Sequence, residues 1–130
     1  MPRFLNPKTV APAASRYSQA VAIGMPFKRL VISGQLGLRP DGTLVEGLEG
    51  QMDQAFDNVL ALIAAADLEP ADIVKITVYV TVPDAVALYR SVREAKLGKH
   101  APAATYLQIV GLARPDFLVE IEAEAVRETR

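Results

Sequence analysis

Three glutamates, Glu120, Glu122 and Glu124, alternate with Ile121 and Ala123 near the end of this 130-residue chain. In a strand every second side chain shares a face, so the three carboxylates point the same way, roughly 6.6 Å apart. Like charges at that spacing repel, and each must meet water or a cationic partner. Such a carboxylate can orient a water molecule and manage its proton, or it can simply be solvated. The residues alone leave both readings open. Ser33-Gly34-Gln35 places a glycine inside an apolar strand pattern, which marks a bulge or the close approach of another group. Tyr17 stands just before another strand pattern, as an amphipathic aromatic at a sheet edge. His100, the only histidine, lies in Gly98-Lys99-His100-Ala101 and reads as an exposed loop residue. No His/Asp/Glu cluster has metal-ligand spacing, no glycine-rich loop precedes a helix to cradle phosphate, and no Ser/His/Asp set is evident. Neither a metal nor another cofactor is expected.

Composition narrows the classes further. A net charge of −1 gives no global field toward nucleic acid or an anionic membrane, and no basic stripe carries interleaved aromatics. Cysteine is absent, which excludes disulfides, thiol catalysis and thiolate metal sites. The 51% apolar content argues against disorder, and the length fits one domain over residues 1–130. Met1 to Lys8 holds no apolar run long enough for a signal peptide. The run from Leu60 to Ala66 falls far short of the roughly 20 residues that span a bilayer. A soluble cytoplasmic protein is the expectation.

The elements that must position these residues follow from periodicity. After an Ala/Pro-rich lead-in at Val10 to Ala14, Gln19–Ile23 and Leu30–Leu36 read as strands joined by Gly24 to Lys28. Pro40-Asp41-Gly42 is a turn, because proline presets φ and glycine accepts a positive one. From Glu49 to Ala66, Met52, Ala55, Phe56, Val59, Leu60 and Ile63 recur at spacings of three and four and form one apolar helical stripe. Ile73–Val82 alternates β-branched residues with Lys75, Thr77, Tyr79 and Thr81, a clear strand. Thr81-Val82-Pro83-Asp84 looks like the start of a second helix running to about Leu97, with Gly98 as its stop. Thr105–Val110 and Leu118–Val126 complete a ββαβαββ order. Two amphipathic helices can cover one face of such a sheet, which makes a two-layer α+β domain with one mixed sheet. The other face carries Lys75, Thr77, Tyr79, Glu120, Glu122 and Glu124, a surface that can be solvated or can meet another copy of the chain.

Five short motifs occur in order: Tyr17-Ser18-Gln19-Ala20-Val21, Ser33-Gly34-Gln35, Asp72-Ile73-Val74-Lys75, Pro102-Ala103 and Val119-Glu120-Ile121-Glu122-Ala123. Together, over about Phe4 to Arg127, they resemble the RidA family (YjgF/YER057c/UK114). The resemblance implies a chorismate-mutase-like fold, a homotrimer, and a small-molecule ligand bound in clefts between subunits. It also implies hydrolysis of reactive imines and enamines, of the 2-iminobutanoate/2-iminopropanoate deaminase type. Carried over residue by residue, Glu120 would orient the water, Tyr17 would line the cleft, and Ser33, Gly34, Gln35 and Thr105 would meet the substrate's polar end.

One charge departs from the pattern. Family members follow Pro-Ala with an arginine that grips the substrate carboxylate, and here Ala104 holds that place. Tyr106 stands where many have a small residue or cysteine, and Tyr89 where many carry asparagine. A guanidinium binds a carboxylate through two parallel charge-assisted hydrogen bonds, so activity on imino acids is expected to be weak. Arg114, in Leu112-Ala113-Arg114-Pro115, is the nearby candidate to supply charge, but its loop position favours solvation. The alternatives are a non-catalytic metabolite-binding trimer, a hydrolase of a less anionic substrate, or isomerase-type chemistry in the same architecture, which no arginine-lined site supports.

Overall fold

The alternating pattern around Lys75, Thr77 and Tyr79 builds the second strand from one edge of a twisted mixed sheet. The computed structural model describes residues 2–8, 12 and 16–129. In chain order the elements are β1 (Arg3–Leu5), β2 (Ala20–Ala22), β3 (Phe27–Leu36), α1 (Leu48–Ala65), β4 (Ile73–Val80), α2 (Val86–Leu97), β5 (Ala103–Gln108) and β6 (Val119–Glu128). The four-stranded sheet runs β3-β6-β4-β5, with only β4 and β5 parallel. This is the expected α+β layering. The expected first strand instead pairs with Arg3–Leu5, which periodicity did not mark, in a separate two-stranded sheet. Of the Ala/Pro-rich lead-in, all but Pro12 lies outside the described residues.

Helix α1 buries Met52, Ala55, Phe56, Val59 and Ile63, the stripe that its spacing predicts. These face Ile76, Val78, Val80, Val119, Ile121 and Ala123 on the covered side of the sheet. Each such large apolar side chain contributes roughly 1.5–3 kcal/mol by leaving water. Gln51, also buried, is satisfied at both ends: its amide donates to the Asp116 carbonyl at 3.0 Å and accepts from the Leu118 N–H at 2.9 Å. It thereby pins the loop before β6.

Two boundaries moved by three residues or more. Helix α2 starts at Val86 rather than near Thr81. Thr81 is tied instead to the residue just before β6, its N–H donating to the Leu118 carbonyl at 3.0 Å. Asp84 then takes φ 57°, a left-handed turn that sets the helix axis before Ala85. Gly98 does end α2, at φ 59°. Strand β3 begins at Phe27 because its register with β6 continues to Glu128.

Candidate functional site

The register of the sheet sorts the chemistry-bearing residues into two groups. Lys75, Thr77 and Tyr79 of β4 pair with Glu124, Glu122 and Glu120 of β6, so all six share the face away from the helices. Two of the three carboxylates are engaged. Glu122 accepts from the Tyr79 hydroxyl at 2.7 Å, and Glu124 meets the Arg29 guanidinium at 3.0 Å. That hydrogen bond, with burial and the charges of Glu122 and Glu120 adding to it, pushes the Tyr79 phenol above its usual range. Glu120 accepts no hydrogen bond and joins no ion pair with a described residue.

What Glu120 does touch is Gly34. The β3–β6 register slips between Ile32 and Gln35, and Gly34 sits in that irregularity. A Cβ built there would lie 2.7 Å from the Glu120 Cδ. Only glycine leaves the carboxylate its position, which is the close approach that a glycine in a strand signals. Ser33 and Gln35 flank this contact. The Gln35 amide donates to the Ser33 carbonyl at 2.9 Å, and both line a cavity of about 440 Å³ with Leu62, Ala65 and Ala66 at the end of α1.

The second group lies on the other side of the sheet, at its opposite edge. Ala104 and Tyr106 pair with Ile76 and Val78 and so point toward α2. Ser18 runs beside the start of β5, its N–H donating to the Pro102 carbonyl at 2.9 Å and its hydroxyl to the Ala101 carbonyl. This brings Tyr17 over Ala104. Tyr17, Val86, Tyr89, Arg90, Arg93, Ala104 and Tyr106 together enclose a cavity of about 110 Å³. Tyr89 is stacked between Phe56, at 6.4 Å, and Tyr106, at 5.2 Å. Burial pushes the Tyr89 phenol above the usual tyrosine range, opposed by the Arg93 guanidinium beside it, and burial raises Tyr106 as well. Thr105 faces the other way, where its hydroxyl accepts from Lys75 at 2.7 Å.

The family model that describes endoribonuclease L-PSP proteins matches residues 8–127. The chain belongs to the RidA family. A 2-iminobutanoate/2-iminopropanoate deaminase of Escherichia coli (strain K12) is 36% identical over 122 residues, 90% of this chain and 92% of that one. A RutC family protein of Aquifex aeolicus is 43% identical over 82 residues, 62% of each chain. The crystal structure of YyfB, a conserved Rid family protein of unknown function from Yersinia pestis, superposes with a TM-score of 0.85 at 30% identity, covering 95% of this chain and 97% of that one.

Within this RidA fold, four of the residues carried over from the motifs (Tyr17, Tyr89, Ala104 and Tyr106) share one cavity, and two others, Gly34 and Glu120, share a contact. No described contact joins the two sets within one chain. One candidate falls away and one expectation shifts. Arg114 does not reach the cavity: it pairs with Asp116 at 2.7 Å and stacks over Phe117 at 4.9 Å. His100 is no exposed loop residue, because its Nε2 lies 2.7 Å from the Ile73 carbonyl and its ring meets Phe4 edge-on at 5.3 Å. Arg93, which sequence reasoning passed over, lines the cavity in Arg114's stead. The signal was present: Arg93 stands four residues after Tyr89 and four before Leu97, a charge on the buried stripe of α2. Among the described residues no three His, Asp or Glu side chains are grouped to hold a metal, and no helix is long and apolar enough to cross a membrane.

Proposed function

We propose that this RidA family member hydrolyses small, reactive imines or enamines in a cleft shared between copies of the chain. The observation that carries this reading is Glu120: alone among the three aligned carboxylates it is held against bare backbone at Gly34 and has no hydrogen-bond or ion-pair partner among the described residues. Such a carboxylate can accept a proton from water as the water oxygen bonds to the C=N carbon. The electron pair of that C=N bond passes to nitrogen, which takes up a proton, and the carbinolamine then expels ammonia as the carbonyl forms. Consistent with this, the E. coli relative's name is that of an imine deaminase.

The sheet supports the shared cleft. Gly34 lies on edge strand β3 and Ala104 on the opposite edge strand β5. Three inter-strand spacings, roughly 14 Å, separate these edges in one chain. A head-to-tail ring sets one edge of each copy against the opposite edge of the next, and three copies close it. Half-exposed apolar residues on the uncovered face, Val31 and Leu107, would then be buried around the axis. An imine generated in situ from an amino acid, with ammonia release followed against the uncatalysed rate, tests the reading. The parent should accelerate release and Glu120→Gln should not. Equal rates for the two proteins would reject Glu120's role, and ligand-dependent thermal stabilisation without turnover would favour a binding protein.

A further inference from the structure

Among the described residues, two buried side-chain polar atoms lack any hydrogen-bond partner: the Tyr89 hydroxyl and the Arg93 Nε. Both belong to the same small cavity, the one that Ala104 lines. Arg93 is 2% exposed and Tyr89 is 4% exposed. No carboxylate forms an ion pair with Arg93 among the described residues. Its charge meets Tyr89 instead: the guanidinium carbon lies 5.4 Å from the ring centroid, and the guanidinium also acts on the Tyr89 hydroxyl. A buried guanidinium without an anion is costly, and buried donors are ordinarily satisfied. A second guanidinium, Arg90, stands one turn away at the exposed rim. No acidic side chain lines the cavity.

From this arrangement we infer that Arg93, reaching in from α2 with the Tyr89 hydroxyl, is the carboxylate anchor of the cleft, and that the ligand is a small monocarboxylate. The Arg93 Nε–H and the Tyr89 O–H donate to the carboxylate, and Ala104 provides the room that a side chain at that place would fill. The cation has moved from strand β5 to the facing helix while the pocket between them is kept. The inference rests on the cleft assigned above and replaces the expectation that imino acids are poor substrates, which followed from position 104 alone. It is specific to short carboxylates because the space is about 110 Å³ and walled by Tyr17, Tyr89 and Tyr106.

Calorimetric titration with 2-oxobutanoate, the stable keto acid that 2-iminobutanoate hydrolysis yields, and with neutral butanone tests it. The proteins are the parent, Arg93→Met, Arg93→Lys, the double variant Arg93→Met/Ala104→Arg, and Arg114→Ala as control, each checked for folding by thermal melting. The parent should bind 2-oxobutanoate more tightly than butanone. Arg93→Met should weaken 2-oxobutanoate by about 10- to 1,000-fold, the range for one to two charge-assisted hydrogen bonds, and leave butanone unchanged. Arg93→Lys should fall between, Ala104→Arg should restore part of the loss, and Arg114→Ala should change nothing. If Arg93→Met does not fold, Arg93→Lys decides, because it keeps the charge and loses the fork. Unchanged 2-oxobutanoate affinity in the Arg93 variants, or a parent that does not distinguish the two ligands, overturns the inference. Ammonia release separates it from the catalytic reading. Imine turnover that survives in Arg93→Met at unchanged KM removes the anchor and keeps the hydrolase, whereas Arg93-dependent binding without turnover keeps the anchor and removes the hydrolase.

Discussion

The two edges of the sheet differ in kind. At β3 the site is acidic, open and made by removal: a glycine clears space, and Glu120 rests on backbone. At β5 it is cationic, aromatic and enclosed, and three tyrosines and Arg93 fill it. An acid that handles water belongs where water reaches it. A guanidinium that must outcompete water for a carboxylate gains from burial, since its hydrogen bonds strengthen in a low-dielectric surround. On the proposed reading, each edge supplies half of what imine hydrolysis needs.

The sharpest break in this comparison is Gly34→Ala. The added methyl would stand 2.7 Å from the Glu120 Cδ, so either the carboxylate or the strand moves. We expect turnover to fall with Glu120→Gln, on the order of 10²–10⁴-fold for a lost general base, and stability to drop by about 1–3 kcal/mol for Gly34→Ala alone. Ammonia release and urea melts measure the two effects. If Gly34→Ala is as active as the parent, Glu120 does not need this position.

A smaller effect should separate the edges by stability. Tyr89→Phe removes a hydroxyl that has no hydrogen-bond partner among the described residues, so thermal unfolding should change by under about 1 kcal/mol while carboxylate affinity falls several-fold. A large loss of stability with unchanged affinity would make Tyr89 purely structural.

The smallest effect is alkaline. Burial raises the Tyr89 and Tyr106 phenols above their ordinary value of 10.0. The unfolded chain therefore loses these protons first, so the contribution is whole below that pH and wanes as pH climbs toward the folded values. Urea melts from pH 8 to about 11 should show stability declining beyond pH 10, less steeply in Tyr89→Phe. A decline of the same slope in both proteins would mean that Tyr89 is not the residue responsible.

Much of this was legible in the chain, and the reasons are local. The period of two in β4 and β6 placed Lys75, Tyr79 and the glutamates on one face, because strand geometry leaves no other choice. Gly34 announced a close approach but not its partner, since the β3–β6 register depends on the whole sheet. Strand Arg3–Leu5 carried no periodic signal in three residues. Thr81 failed as a helix cap because its N–H and its hydroxyl both donate to the Leu118 carbonyl, 37 residues away. Arg93 was missed for a related reason: motif matching looks for a cation where relatives hold one, and the opposing helix lies far from it in sequence.

The central claim is that Glu120 of one copy and Arg93 of the next complete one site. Glu120→Gln and Arg93→Met, each expected to be far less active alone than the parent on 2-iminobutanoate, should therefore be unfolded together in equal amounts, refolded and assayed for ammonia release. Random three-membered rings of the two variants each contain one intact pairing when mixed, which predicts about one quarter of the parent's activity. A mixture no more active than its two components would place both residues' work within a single chain and contradict the account.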